Sequence, residues 1–156
     1  MSKRQREIFL SALLSDLLSQ YSKWHIDDHC KIEWRGQPRN LWPEADLIID
    51  APTGRFIVEY DEDSDPCRSL IKYWPLIHQT GRLPFTLIGI WRRGPTIGRG
   101  YAELAKWAGA RLMDLYPTFV YKFVERTDEK SIMIAREVAQ IVEATPPINS
   151  PSSERR

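Results

Sequence analysis

Asp46, Glu59 and Asp61 are the residues of this chain whose types and spacing best suit chemistry. They lie in two extended runs, 44–50 and 55–61, joined by Ala51-Pro-Thr-Gly54, which reads as a β-hairpin. A tight turn there pairs positions whose numbers sum to 105, so Asp46 is expected opposite Glu59, Glu44 opposite Asp61, and Asp50 opposite Arg55. Strand alternation then gives one core face (Ala45, Leu47, Ile49, Phe56, Val58, Tyr60). The other face carries Glu44, Asp46, Ile48, Asp50, Arg55, Ile57, Glu59 and Asp61. A slip of one residue would mix the two sets. Like charges placed directly opposite each other destabilise a sheet, so Asp46 and Glu59 call for protonation, a nearby base or a bound metal. Hard oxygen ligands converging from two strands suit Mg2+ or Mn2+. The alternative is an exposed, twisted edge with solvated acids.

The charge distribution agrees with a local anionic site. Residues 44–66 hold eight acids against one base, Arg55, a balance of −7. Residues 1–43 have seven bases to five acids, and residues 67–156 have fourteen to eight. The net charge of +1 conceals this segregation, which is the pattern of a cation site serving a polyanion or of a solvated loop.

The elements around the hairpin follow from periodicity. Leu10, Leu13, Leu14, Leu17 and Tyr21 form a helical stripe over 7–22. Cys30, Ile32 and Trp34 alternate with Lys31, Glu33 and Arg35, predicting a strand that ends at Gly36. Pro38 and Pro43 bracket a connector. Asp65-Pro66 is an N-cap followed by a first-turn proline, so a helix is expected from there toward Gln79, stopped by Gly81 and kinked or split by Pro75. The apolar run 84–91 predicts a strand covered on both faces. Residues 100–115 read as a helix, 119–124 as a strand, and 128–144 as a final helix. The order α-β-β-β-α-β-α-β-α predicts an α/β or α+β fold, a mixed sheet flanked by helices, in one domain over 1–144. The Pro- and Ser-rich residues 145–156 are expected to form a disordered tail.

At 156 residues the chain is long enough to bury a core without staples. Two cysteines make no disulfide framework, which fits a reducing cytoplasm. The apolar stretch near the amino terminus is cut by Ser11, Ser15 and Asp16, so it reads as neither a signal sequence nor a membrane span.

Pro43-Glu-Ala-Asp46 and Val58-Glu-Tyr-Asp61, set in this order of elements, resemble the PD-(D/E)XK nuclease superfamily with its restriction-endonuclease-like fold. The resemblance covers about residues 7–124 by element order, while the motif itself is a few residues. It implies a metal-dependent nuclease in which Asp46 and Glu59 ligate Mg2+ or Mn2+, with Glu7 as the additional acid that some members carry on the first helix. Where the family pattern has lysine, two residues after the glutamate, this chain has Asp61. Some members supply that lysine from a neighbouring element, and Lys72 is the candidate here. Arg68, Lys72 and Gln79 form a polar stripe opposite Leu70, Trp74 and Ile77. Lys72 as a solvated helix lysine is the plain alternative. Asp61 is a further metal ligand on this reading, or else the mark of an inactive enzyme. The expected function is hydrolysis of phosphodiester bonds in nucleic acid, DNA before RNA. A non-catalytic nuclease-like module that binds nucleic acid or a protein partner is the alternative. A homodimer would suit cleavage of paired strands, although no sequence feature marks an interface.

Arg92 and Arg93 at the end of the central strand, Arg99 before a helix start, and Arg68 are the candidates to grip phosphates. The glycines near Arg99 match neither a P-loop nor a dinucleotide fingerprint. His25, Asp27, Asp28, His29 and Cys30 have zinc-ligand types but lack the spaced partners of a closed site. Trp34 and Trp74 read as core, which leaves Trp42 and Trp91 open as stacking platforms. No order of Ser, His and Asp suggests acyl transfer.

Overall fold

Among the described residues, periodicity resolves into four α-helices and five strands. The computed structural model describes residues 3–62, 65–79, 85–92, 98, 100–126 and 130–146. The chain runs through α1 (Lys3–Gln20), β1 (His25–Lys31), a short 3-10 turn (Arg39–Leu41), β2 (Glu44–Ala51) and β3 (Gly54–Glu62). It continues through α2 (Arg68–Gln79), β4 (Phe85–Arg92), α3 (Gly100–Leu115), β5 (Phe119–Arg126) and α4 (Ser131–Ala144). The strands form one mixed sheet in the order β1-β2-β3-β4-β5. β1, β2 and β3 are antiparallel neighbours, whereas β3, β4 and β5 are parallel. This is the expected mixed sheet flanked by helices.

Two apolar layers clamp the sheet. On one face Leu10, Leu13 and Leu17 of α1 and Ile134, Ala135, Val138 and Val142 of α4 meet Leu47, Ile49, Phe56, Val58, Ile88 and Ile90. On the other, Leu70, Tyr73, Leu76 and Ile77 of α2 and Leu112 of α3 meet Ile48, Ile57, Leu87, Phe119 and Tyr121. β4 is buried on both sides from Phe85 to Trp91, as its continuous apolar run requires. Tyr121 reaches the backbone of its neighbours because two of them are glycines. A Cβ at Gly109 of α3 would stand 1.9 Å from the Tyr121 ring, and one at Gly89 of β4 would stand 3.0 Å from its hydroxyl oxygen.

One strand lies elsewhere than its pattern predicts. β1 occupies His25–Lys31, not 30–35, and the stretch from Ile32 to Trp34 is irregular. β1 is an edge strand in which only Ile26 is buried, so its own side chains carry no alternation. Its extent is set by β2: pairing runs from His25↔Asp50 to Lys31↔Glu44, and the Ile32 N–H then donates to the Pro43 carbonyl at 2.8 Å. α2 starts at Arg68 because Asp65 caps the preceding turn, its carboxylate accepting the Cys67 N–H at 2.8 Å. It runs on past Pro75 as one helix instead of splitting. Thr145 is buried and bonded to Ile141, while the rest of the expected tail from residue 147, and the stop at Gly81, lie outside the described residues.

Candidate active site

The hairpin register follows the sum of 105 from Ala51↔Gly54 to Leu47↔Val58. A two-residue turn, Pro52-Thr53, closes it, and Gly54 adopts φ +142°, a conformation side chains rarely take. Arg55 donates to both Asp50 oxygens at 2.8 and 2.9 Å, and that pairing holds the Asp50 carboxyl below its ordinary range.

Beyond Leu47↔Val58 the expected geometry changes. The ladder stops one pair short of Asp46 and Glu59. Ala45 packs with the α2–α3 layer, not beside Leu47 in the α1–α4 layer, so the alternation breaks between them. On β1, His29 falls between the pairs Asp28↔Leu47 and Cys30↔Ala45 and has φ +49°, an irregularity at the same level. Asp46 and Glu59 are therefore not a directly opposed pair on one carboxylate face. Each is met by a cation from a different helix.

Asp46 is buried, and α1 supplies its partner: Arg6 Nη2 donates to its two oxygens at 2.6 and 2.7 Å. The Tyr60 N–H donates to Asp46 Oδ2 at 2.8 Å, so the carboxylate stands in for a ladder acceptor. Burial, the largest single influence, pulls the Arg6 pKa down, but the charge and hydrogen bond of Asp46 together with the charges of Glu59 and Glu7 outweigh it, and the net shift is upward. Phe9, one turn further along α1, stacks on Tyr60 with ring centroids 4.5 Å apart and fixes this end of the helix on β3. Glu7, the expected additional acid, lies beside the pair rather than in it. It is 3.9 Å from Arg6 Nη1 and 3.3 Å from His29 Nε2, while His29 Nδ1 is 3.5 Å from Glu44.

Glu59 is buried at 4% exposure and is held from α2. Burying Leu70, Tyr73 and Ile77 turns Lys72 toward the end of β3, where Nζ lies 2.8 and 2.9 Å from the two Glu59 oxygens. Lys72 also donates to the Glu44 carbonyl, and the Tyr73 hydroxyl donates to Glu59 Oε1. Burial, reinforced by the Asp46 charge, pushes the Glu59 carboxyl up to about 7 against the pull of Lys72 and Tyr73. Asp61 is half-buried and also shifted upward. Burial is the main cause and Asp46 adds to it, opposed by the Ser69 hydroxyl, Lys72 and Arg68.

Three carboxylates on two strands are hard donors of the kind Mg2+ and Mn2+ take. In this arrangement, however, they do not fit an ion. Both Asp46 oxygens are engaged by Arg6 and both Glu59 oxygens by Lys72. Among the described residues no group of three or more His, Cys, Asp and Glu side chains is placed to hold a metal.

The sequence-derived candidates thus fall into place unevenly. Asp46, Glu59, Asp61 and Lys72 converge; Arg68 is exposed, with its charge felt by Asp61. Arg92 ends β4 opposite Glu62 on β3, and Arg93 and Arg99 lie outside the described residues. Trp91 is 1% exposed and cannot be a stacking platform, because β4 is sandwiched at that point. Trp74 is 48% exposed, not core, since α2 buries its Leu70–Tyr73–Ile77 side. Trp34 is partly buried against the α2–α3 layer, and Trp42 is half-buried with its ring N–H donating to the Gln37 carbonyl at 2.9 Å. Within the His25–Cys30 stretch, His25 Nε2 lies 3.0 Å from Asp27.

Two site residues carry no recognised signal in the sequence. Arg6 acts across 40 positions, and its only local mark is membership of a basic amino-terminal run. Tyr73 follows Lys72 directly, and its place on the apolar stripe of α2 conceals its polar end.

No protein-family model matches the chain, and no curated protein matches it. A solved structure described as a protein of unknown function, AF1548, is similar at 7% sequence identity with a TM-score of 0.47. The likeness covers 85% of this chain and 66% of that one, so the chain spans about two thirds of that protein's length. At that score it bears on neither fold nor function.

Proposed function

We propose that this chain is a nuclease that hydrolyses phosphodiester bonds of nucleic acid, DNA before RNA, through Asp46, Glu59, Asp61 and Lys72. The observation that carries the reading is the place of Lys72. Its ammonium lies 2.8 and 2.9 Å from the Glu59 oxygens although it comes from α2. The cation that the PD-(D/E)XK pattern has at the position of Asp61 is thus available from the next element. A charge fixed there, in a half-buried setting, would stabilise the negative charge that builds on a phosphate during displacement. Glu59, poised at about 7, changes protonation in the neutral range, and Tyr73 holds its orientation. Mg2+ or Mn2+ is the cofactor the reading requires, with Asp46, Glu59 and Asp61 as the side chains to hold it once their present partners let go. Arg68 and Arg92, flanking the site on α2 and β4, are the described candidates for phosphate contacts, and Arg93 and Arg99 complete the set by sequence.

The second reading, a non-catalytic module that binds nucleic acid or a protein partner, is favoured by the two-pronged hold of Arg6 on Asp46. Free thiols at Cys30 and Cys67 suit a reducing cytoplasm for either reading, and a homodimer would suit paired-strand cleavage. No described helix is long and apolar enough to cross a membrane.

Cleavage of labelled single- and double-stranded DNA and RNA by the purified chain, with Mg2+ or Mn2+, tests the first reading. Asp46→Ala and Glu59→Ala should each abolish cleavage while circular dichroism shows a retained fold. Cleavage that persists in either variant rejects the assignment. Absence of ion binding at millimolar concentration by calorimetry, together with absence of cleavage, supports the module.

A further inference from the structure

We propose that the outer edge of β5 is a docking site for an extended segment of a partner protein, one in which an acidic residue is followed two positions later by a branched apolar one. This edge lies beyond β4 from the carboxylates and needs no ion among them, so it serves either reading of that cluster. β1 and β5 are the two edges of the sheet. β1 is blunted: Asp27 and Asp28 stand exposed along it, and His29, at φ +49°, interrupts its ladder. β5 has no such interruption. It pairs with β4 in unbroken register from Phe85↔Phe119 to Arg92↔Arg126, and among the described residues no strand lies against its other side.

The backbone on that side is taken up at one end only. The Phe119 N–H donates to the Tyr116 carbonyl at 2.9 Å, and the Tyr121 N–H donates to Met113 Sδ at 3.3 Å, a weak acceptor. Strand alternation turns the N–H and carbonyl of Phe123 the same way, outward, so an antiparallel segment can pair around Phe123. The side chains set what that segment carries. Tyr121 and Phe123 pack with the α2–α3 layer, which leaves Val120, Lys122 and Val124 on the α4 side. There a groove of about 760 Å³ runs between β5 and α4, walled by Val120, Ile141 and Pro146. Arg126 and Glu137 in the groove pair with each other, whereas among the described residues no carboxylate pairs with Lys122. The groove is therefore one cation in excess. An antiparallel ligand residue facing Lys122 is matched by an acid, and the residue two further along, facing Val120 beside Ile141, by a branched apolar side chain. A second copy of β5 does not supply this match. Two-fold pairing keeps faces together, so Lys122 would meet only Val120, Lys122, Val124 or Arg126.

The test uses the blocked peptide Ser-Thr-Glu-Thr-Val-Thr-Ser and its counterpart with lysine in place of glutamate. Each is titrated into the isotope-labelled wild-type chain and into Lys122→Glu, which changes an exposed side chain. Amide chemical shifts report affinity, and hydrogen exchange at Phe123 reports where the peptide lies. The glutamate peptide should bind wild type about threefold or more tightly than the lysine peptide, the factor expected of a partly exposed ion pair. That preference should reverse in Lys122→Glu, and saturation should slow exchange at the Phe123 amide. Absence of binding, binding that leaves Phe123 exchange unchanged, or the same order of peptides in both proteins would overturn the proposal. A wild-type chain that sediments as a dimer, with Phe123 exchange quickening on dilution, would assign the edge to a second copy and overturn it as well.

Discussion

Replacing Glu59 by glutamine removes one buried negative charge while keeping the side chain's volume and its place beside Lys72 and Tyr73. In the wild-type chain the carboxyl is held at about 7 in the folded state, against an ordinary value of 4.5. Below pH 4.5 both states carry the proton and Glu59 contributes no pH dependence. As pH rises from there the unfolded chain ionises first, so the folded state binds more protons and stability falls until pH passes about 7. At about 1.4 kcal/mol for each pKa unit, the loss approaches about 3 kcal/mol. Glutamine cannot ionise and avoids this loss. The pull of Lys72 on the ionised carboxyl is already contained in that shift, and the unpaired Lys72 side chain, 31% exposed, can reach water. Glu59→Gln is therefore expected to nearly match wild type at pH 4.5 and to be about 3 kcal/mol more stable at pH 8. Urea denaturation of both proteins in EDTA across that range measures the difference directly. A difference that stays flat with pH would refute the argument that burial and Asp46 control this carboxyl.

Lys72→Met should reduce metal-supported cleavage by about a hundredfold or more, read by single-turnover kinetics on the DNA substrate, because no other described cation lies on Glu59. The Tyr121 hydroxyl is buried with no hydrogen-bond partner among the described residues, so Tyr121→Phe should stabilise the fold by about 1 kcal/mol, seen as a rise in Tm of about 2 to 4 °C. Gly109→Ala sets a Cβ 1.9 Å from the Tyr121 ring and should cost about 2 kcal/mol or more in urea denaturation, with part of the loss recovered when Tyr121 is shortened to leucine.

The order of elements was legible because each depends on a local pattern. The hairpin register over 47–51 follows from turn length and alternation, and α3 occupies the expected 100–115. β1 was misplaced because an edge strand wet on most of its length has no alternation to read, and its extent depends on β2. The Asp46–Glu59 relation failed for a related reason. Local arithmetic assumes an ideal ladder, whereas the one here stops at Leu47↔Val58 and Asp46 turns to a residue 40 positions away. The polar stripe on α2 foretold Lys72 beside the acids, because helical spacing relates it to the buried side. Arg6 had no such guide, since α1 is positioned by its packing against α4 and the sheet. Trp74 was misread because one aromatic on a stripe cannot say where the stripe's edge lies.

The middle strand has neighbours on both sides over Phe56 to Val58, antiparallel on one flank and parallel on the other. Its amide protons are therefore expected to exchange with deuterium only when the whole molecule opens, whereas the first turn of α1 frays far more cheaply. Glu59 and Asp61 continue from that protected segment, while the cations paired with the buried acids, Arg6 on Asp46 and Lys72 on Glu59, ride on the peripheral helices α1 and α2. Subglobal fluctuations can thus relax the charge balance of the pocket without disturbing the backbone that holds the acids in place.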